Sequence, residues 1–404
     1  MSQPMIVPPP PRVEPVDAEP DFSLVVGGPL YQLYLKARLA QPALGLLYRR
    51  IIDISLICWL PLLVLSAAEG HLTGGVRISF LRDPEVHVRF LFALPLLIAS
   101  ELLVHQRVRL LVAEFLKRGM IAESDRLRFQ QIIDSAMRLR NSVWIEIIML
   151  ALVLTLGHWT WEKQMFLPVS SWYAIDHGNG LELTGAGKYY AFVSLGIFRF
   201  LLYRWYFRIF IWYRFLWQVR GLPLQLNLYH PDRAAGLGFL SASLLALSPV
   251  FVAQTAVLSS NIFTRILYTG ATLPAFKMQI AGVLVFCMLV VTLPLLFFVV
   301  ILERTQRRAN IEFGELASQY VDDFRAKWVK HSTPRNEELL GTSDMQSLAD
   351  LANSFAVVNE IRVVPVTKQA LIRLLILLVL PLLPLTLTMV PLDKILEKLF
   401  QMVV

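Results

Sequence analysis

Charge is scarce in this chain, and so is cysteine. Of its 404 residues only 17% are Asp, Glu, Lys or Arg, while 56% are hydrophobic. Soluble domains carry about 25% charged and about 45–50% apolar residues. A soluble core made from that excess would leave a large apolar surface, which soluble monomers avoid. The two cysteines, Cys58 and Cys287, both lie inside apolar runs. That pattern offers no disulfide framework and reads as small buried hydrophobes. Catalytic motifs are missing too. GxxxxGK[ST], GxSxG, HExxH, GxGxxG and paired CxxC do not occur. ATP-driven transport by this chain alone, serine hydrolysis and zinc protease chemistry lose support accordingly. The 7 histidines are scattered, with no pair at i, i+3 or i+4. No metal, no cofactor and no enzymatic activity are expected. Residues 1–20 have no apolar h-region, so no secretory leader is expected there.

What the chain does have is long apolar runs. Seven are near bilayer length, at about 51–68, 90–111, 143–160, 189–217, 235–258, 280–302 and 370–390. About 20 residues at 1.5 Å rise cross a hydrocarbon core of about 30 Å. The expected fold is therefore an all-α integral membrane protein of about seven transmembrane helices with helical cytoplasmic extensions. The fourth run is too long for one untilted crossing, and its C-terminal part is expected along the interface.

Arginine sets the orientation. Arg49 and Arg50 abut the first run, Arg107 to Arg140 follow the second, Arg204 to Arg233 follow the fourth, and Arg304, Arg307 and Arg308 follow the sixth. If the runs alternate, these regions share one side, which is then cytoplasmic. The N-terminus falls inside and the C-terminus in the periplasm. The net charge of +8 is thus assigned to membrane topology rather than to nucleic acid. Trp159, Trp161, Trp172 and Tyr173 are expected at the outer headgroup level. Turn chemistry at residues 176–180 is expected to close a small outer hairpin.

Four parts follow. Residues 1–29, with a Pro8–Pro11 run, read as a disordered cytoplasmic tail able to bind a partner. Residues 30–302 hold the first six spans, with an amphipathic interfacial stretch at 30–48 and a cytoplasmic helical hairpin at about 105–142. Residues 303–368 form a cytoplasmic helical segment: one helix continues the sixth span to Lys330, and a second runs over 344–358 with Asp344 near its N-cap. Residues 369–404 hold the seventh span and a short outer amphipathic helix.

Candidate site residues come from three places. His230-Pro231-Asp232-Arg233-Ala234-Ala235-Gly236-Leu237-Gly238 stands at the mouth of the fifth span. Read structurally, Asp232 caps the helix and the glycines admit a close neighbour. Read functionally, His230, Asp232 and Arg233 offer an ion or proton site. Charges inside the bilayer are the second group: Asp53, Glu101, Glu146 and Arg199. Arg199 is expected to pair with Glu101 or Glu146, or else the group forms a polar pathway. The third is the fifth span, where Ser241, Ser243, Gln254 and Thr255 are pore-lining candidates, packing by small residues being the alternative. Arg204, Arg208 and Arg214 lie among Trp and Tyr and are expected to snorkel to anionic lipid headgroups.

The string from Tyr229 to Leu240 resembles the signature of an uncharacterised family of bacterial multi-pass inner-membrane proteins. Ser347 to Phe355 and Arg362-Val363-Val364-Pro365 leading to Leu380–Leu385 are similar to it as well. The resemblance covers about 47–400. It implies a bacterial inner-membrane location and no particular activity.

Three functional classes fit these features. The first is a homo-oligomeric channel for ions or small solutes, gated from the cytoplasmic side. The second is a sensor or assembly scaffold with a cytoplasmic protein partner. The third is a proton- or ion-coupled secondary transporter, for which no internal repeat is visible.

Overall fold

The computed structural model describes residues 22–37, 46–164, 169–176, 181–227, 230–330 and 343–389. The chain enters as an irregular segment at Phe22, followed by α1 (Pro29–Lys36) and α2 (Leu47–Ala68). A long helix α3 (Pro84–Lys117), a shorter α4 (Arg126–Arg140) and α5 (Val143–Gln164) come next. An antiparallel hairpin of β1 (Ala174–Asp176) and β2 (Leu181–Leu183) leads through helical turns at Gly185–Ser194 into α6 (Leu195–Val219). Then follow α7 (Leu237–Thr269), α8 (Leu273–Val329), α9 (Ser343–Asn359) and α10 (Lys368–Thr388).

The all-α membrane architecture holds. Among the described residues five helices, rather than the seven expected, are long and apolar enough to cross a membrane: α2, α3, α7, α8 and α10. Of the other two expected spans, α5 offers only the shorter apolar stretch Val143–Thr155. Helix α6 carries Arg199, Arg204, Arg208 and Arg214, too many charges for a lipid-facing span. One face of it packs into the bundle, with Trp205, Ile211, Trp212, Phe215 and Leu216 buried, while Phe210 and Trp217 are exposed.

Proline breaks within the helices are repaired by hydroxyls. A proline frees the carbonyl four residues earlier, and in lipid that oxygen needs a partner. Pro61 frees Ile57 O, which accepts from Tyr189 Oη at 3.0 Å. Pro249 frees Leu245 O, which accepts from Ser248 Oγ at 2.9 Å. Pro294 frees Val290 O, which accepts from the Tyr213 hydroxyl. Two of the prolines, Pro61 and Pro294, therefore double as points where another element fastens α2 and α8, whereas Ser248 repairs α7 from within.

Two ends of the bundle differ. One carries the β-hairpin. From the other, α8 continues unbroken to Val329, and α9 folds back on this arm. Asp344 joins them: its Oδ2 accepts from Lys327 Nζ and from Trp328 Nε1, each at 2.9 Å. Asp344 thereby ties the two helices together. Those two hydrogen bonds, Lys327's first, hold its carboxyl below the usual range.

Other expectations shift. Helix α4 packs back on the bundle: Phe129, Ile133 and Ala136 are buried, and Phe129 packs on Phe115 and Phe215. The N-terminal tail ends sooner than expected, since Phe22, Ser23, Leu24 and Val25 are buried in the bundle. Phe22 packs against Trp212 and Phe215. Gly27, at φ +128°, runs so close to the Arg140 guanidinium that a Cβ would lie 2.4 Å from it. The proline run, the expected C-terminal helix and residues 38–45 of the interfacial stretch lie outside the described residues.

Candidate functional site

The densest chemistry lies at the arm end, where α2, α3, α5 and α6 meet beneath the N-terminal segment. Glu101, on α3, is buried among three guanidinium groups. Arg208 Nη2 donates to its Oε1 at 2.8 Å. Arg50 Nη2 lies 2.6 Å from its Oε2, and Arg204 Nη1 lies 3.6 Å from its Oε1. Arg204 also stands 3.6 Å from Glu146 Oε1. Glu146 Oε2 accepts the Leu30 N–H at 2.9 Å, which anchors α1 over the cluster. Tyr34 covers Arg50, with the guanidinium carbon 5.1 Å from the ring centroid, and Trp205 lies 4.7 Å from that of Arg208.

The helical period explains the convergence. Arg204 and Arg208 are four residues apart and share one face of α6. Sequence reasoning paired Glu101 and Glu146 with Arg199 and sent Arg204 and Arg208 outward to lipid. The structure instead turns Arg204 and Arg208 inward onto Glu101, with Arg50 as a third partner that the sequence reading did not single out. Arg199 stands five residues before Arg204 on α6, within electrostatic reach of Arg89, Tyr203 and Tyr190. Arg214 Nη2 donates to Ser135 Oγ of α4 at 2.8 Å, again inside the protein. With three guanidinium groups around it, Glu101 joins α2, α3 and α6 in one ionic lock.

A second polar cluster sits at the hairpin end, and the sequence reading passed over it. Arg89 donates to Glu85 and to the Tyr190 hydroxyl. Asn261 of α7 donates to Glu85 Oε2 at 3.0 Å. Asp83 caps the start of α3 by accepting the Glu85 N–H at 3.0 Å, and takes the Trp172 indole N–H at 2.9 Å. Trp59 Nε1 donates to His87 Nδ1 at 3.0 Å. Burial, with Glu85 adding its charge, pushes the Asp83 carboxyl up. Trp172 and Tyr173, expected in a headgroup belt, are buried in this cluster. The available signal was Asp83-Pro84-Glu85, an N-cap followed by proline at the first helical position.

The His230 turn is closed by its own aspartate. Asp232 Oδ1 accepts from Ala234 N at 2.8 Å and Gly236 N at 3.1 Å, and Oδ2 accepts from Gly238 N at 2.9 Å. Half-burial alone would raise its carboxyl, but these three N–H groups and His230 hold it below the usual range. Gly238 serves this approach rather than a neighbouring helix: a Cβ there would lie 2.8 Å from Asp232 Oδ2. Gly236 supplies a left-handed φ of +93°. Arg118 Nη1 donates to Gly236 O at 2.9 Å and lies 3.3 Å from His230 Nε2. The chain returning from α9 docks here. Arg362 Nη2 donates to Asp232 O at 2.7 Å, and Arg233 Nη1 pairs with Glu360 Oε2 at 2.7 Å. Ser241 Oγ donates to Pro365 O at 2.9 Å. Two of the strings that carried the family resemblance, around Asp232 and Arg362, are thus partners in one latch.

The remaining candidates separate. Asp53 faces outward beside Arg49 at 3.6 Å, apart from Glu101. Of the α7 candidates, Ser241, Ser243 and Thr255 are buried and Gln254 is half-buried. Ser243 Oγ donates to Leu240 O at 2.7 Å and Thr255 Oγ1 to Val252 O at 3.1 Å. Gln254 accepts the Tyr206 hydroxyl. Helix α7 is the most buried of the five spanning helices.

The chain matches no family model, no curated protein and no solved structure.

Its geometry is therefore the ground for assigning a role. Among the described residues no group of three or more His, Cys, Asp or Glu side chains is placed to hold a metal ion.

Proposed function

We propose that the chain is a membrane-embedded scaffold or sensor whose helical arm engages a protein partner. The carrying observation is the arm itself. Helix α8 runs from Leu273 to Val329, about 85 Å at 1.5 Å per residue, against a hydrocarbon core of about 30 Å. Beyond the apolar part it exposes Ile311, Leu316 and Val321. On this reading these side chains are where the partner meets the arm. Two fastenings set the arm's position: Asp344 with Lys327 and Trp328, and the latch of residues 360–365 on the His230 turn.

The arm end is assigned to the cytoplasm, because Arg and Lys gather there, and the membrane to the bacterial inner membrane on the strength of the family resemblance. A pore along α7 draws little support from enclosed hydroxyls that serve their own helix. An ion path between copies is the competing reading.

A photocrosslinking residue placed in turn at Ile311, Leu316 and Val321 of the full chain tests the proposal in cells of the source organism. Adducts to one protein of defined mass are expected from the arm and none from the lipid-facing Leu289. A chain that yields no arm adduct while conducting ions in liposomes would overturn it in favour of the channel.

A further inference from the structure

The base of the arm is basic. Trp217, near the end of α6, packs edge-on against Phe297 of α8, with ring centroids 5.0 Å apart. Arg304 and Arg308 follow Phe297 at i+7 and i+11, so one face of α8 carries all three. Arg220 lies over the Trp217 ring, its guanidinium carbon 4.4 Å from the centroid. A hollow of about 460 Å³ runs along this part of α8, lined by Val300, Arg304, Arg307, Arg308 and Ile311 together with two carboxylates. Those two are already paired, Glu303 with Arg307 at 3.3 Å and Glu312 with Arg308 at 2.7 Å. Among the described residues no carboxylate pairs with Arg220 or Arg304. Trp217, Val300 and Ile311 stand exposed among these cations.

The N-terminal chain arrives beside this patch. Phe22, where the described chain begins, packs on Trp212 and on Phe215, two residues before Trp217. Only α6, about 10–12 Å across with its side chains, separates Phe22 from Phe297. Arg304 stands seven residues beyond Phe297, about 11 Å of helical rise. The nine residues before Phe22, Val13 to Asp21, can reach about 30 Å, which is enough to round the end of α6 and meet Arg304. They carry Glu14, Asp17, Glu19 and Asp21 and neither lysine nor arginine, with Val13 and Val16 among them. The stretch is thus complementary to the patch in charge and in apolar content.

We propose that residues 13–21 dock on the base of the arm, with their carboxylates against Arg220 and Arg304 and their valines against Trp217 and Val300. Docked there, the tail shields the base of the arm, and a partner gains it by displacing the tail. That consequence rests on the arm being the partner surface, whereas the docking does not.

A photocrosslinking residue at Val16 tests the docking. It is read on the purified full chain, with no partner present, in vesicles of equal parts phosphatidylglycerol and phosphatidylethanolamine. Peptide mapping should place the adduct within the same chain, on α8 between Val300 and Ile311. The α4 peptide around Leu127 is the control, since Leu127 is exposed and Phe129 beside it packs on Phe215. Arg220→Gln combined with Arg304→Gln should lower the α8 adduct about tenfold, the factor that two exposed ion pairs supply together. Both side chains are outside the core, so the fold should persist. Equal adducts on α4 and α8, or a yield that ignores the two substitutions, overturns the proposal. An adduct to phosphatidylglycerol alone assigns the tail to the lipid surface, and an adduct between two copies assigns the patch to a second chain; either result overturns it as well. Deleting residues 1–20 should then raise partner adducts from Ile311 several-fold, and an unchanged yield would overturn the shielding.

Discussion

Glu101 and Arg208 meet at 2.8 Å in the interior of the bundle, one from α3 and the other from α6. Arg50 and Arg204 complete the shell. Removing the carboxylate would leave three buried guanidinium groups without their common partner. Breaking a buried pair by deleting one member costs about 3–5 kcal/mol. Glu101→Gln should therefore lower the melting temperature in detergent far more than Asp53→Asn, whose carboxylate is only half-buried beside Arg49. Similar losses for the two variants would argue against the lock.

The N-terminal segment is part of the fold. Phe22 is fully buried between Trp212 and Phe215. Phe22→Ala should destabilise the chain by about 3–5 kcal/mol, the usual cost of removing a core phenylalanine. Thermal unfolding followed by tryptophan fluorescence would show it, since Trp212 lies against the deleted ring. An unchanged midpoint would mean that the segment is not seated there in solution.

Gly238→Ala places a Cβ against the Asp232 carboxylate, an overpacking that costs about 1–3 kcal/mol. The latch on residues 360–365 should loosen with it. Limited proteolysis is expected to cut between α9 and α10 faster in this variant than in the parent, while Gly314→Ala, in open space on the arm, should leave the rate alone.

The arm should respond to acid through Asp344. Hydrogen bonds from Lys327 and Trp328 hold its carboxyl below the ordinary value, which is about 3.9. The folded form therefore binds the proton less readily than the released form. The contribution is present above pH about 4 and is lost as pH falls through the lowered value. Hydrogen exchange in α9 should rise below pH about 4 in the parent. In Asp344→Asn it should be raised at neutral pH already and vary less on acidification.

Much of the fold was legible because apolar length is a strong signal. The runs at 51–68, 90–111 and 280–302 fall within spanning helices, and those at 235–258 and 370–390 overlap two more, Leu237–Thr269 and Lys368–Thr388. The site was less legible. Sequence spacing gives the face on which Arg204 and Arg208 lie, but not whether that face meets lipid or Glu101. An arginine among aromatics is compatible with both until a carboxylate from another helix is placed beside it. Asp83, Glu85 and Arg89 were missed because they stand just before the apolar run of α3, where charge reads as loop. Phe22–Val25 were missed because a short apolar stretch beside a proline-rich tail carries no periodicity.

The central claim is that the bundle interior is closed and that the arm does the work. Ion flux into liposomes containing the purified full chain tests it most directly, read with potassium, sodium and chloride gradients over a range of imposed potentials. The account predicts flux no greater than in empty liposomes, unchanged by Ser243→Ala or Gln254→Ala. A conductance that appears with the protein and shifts with either substitution would contradict it.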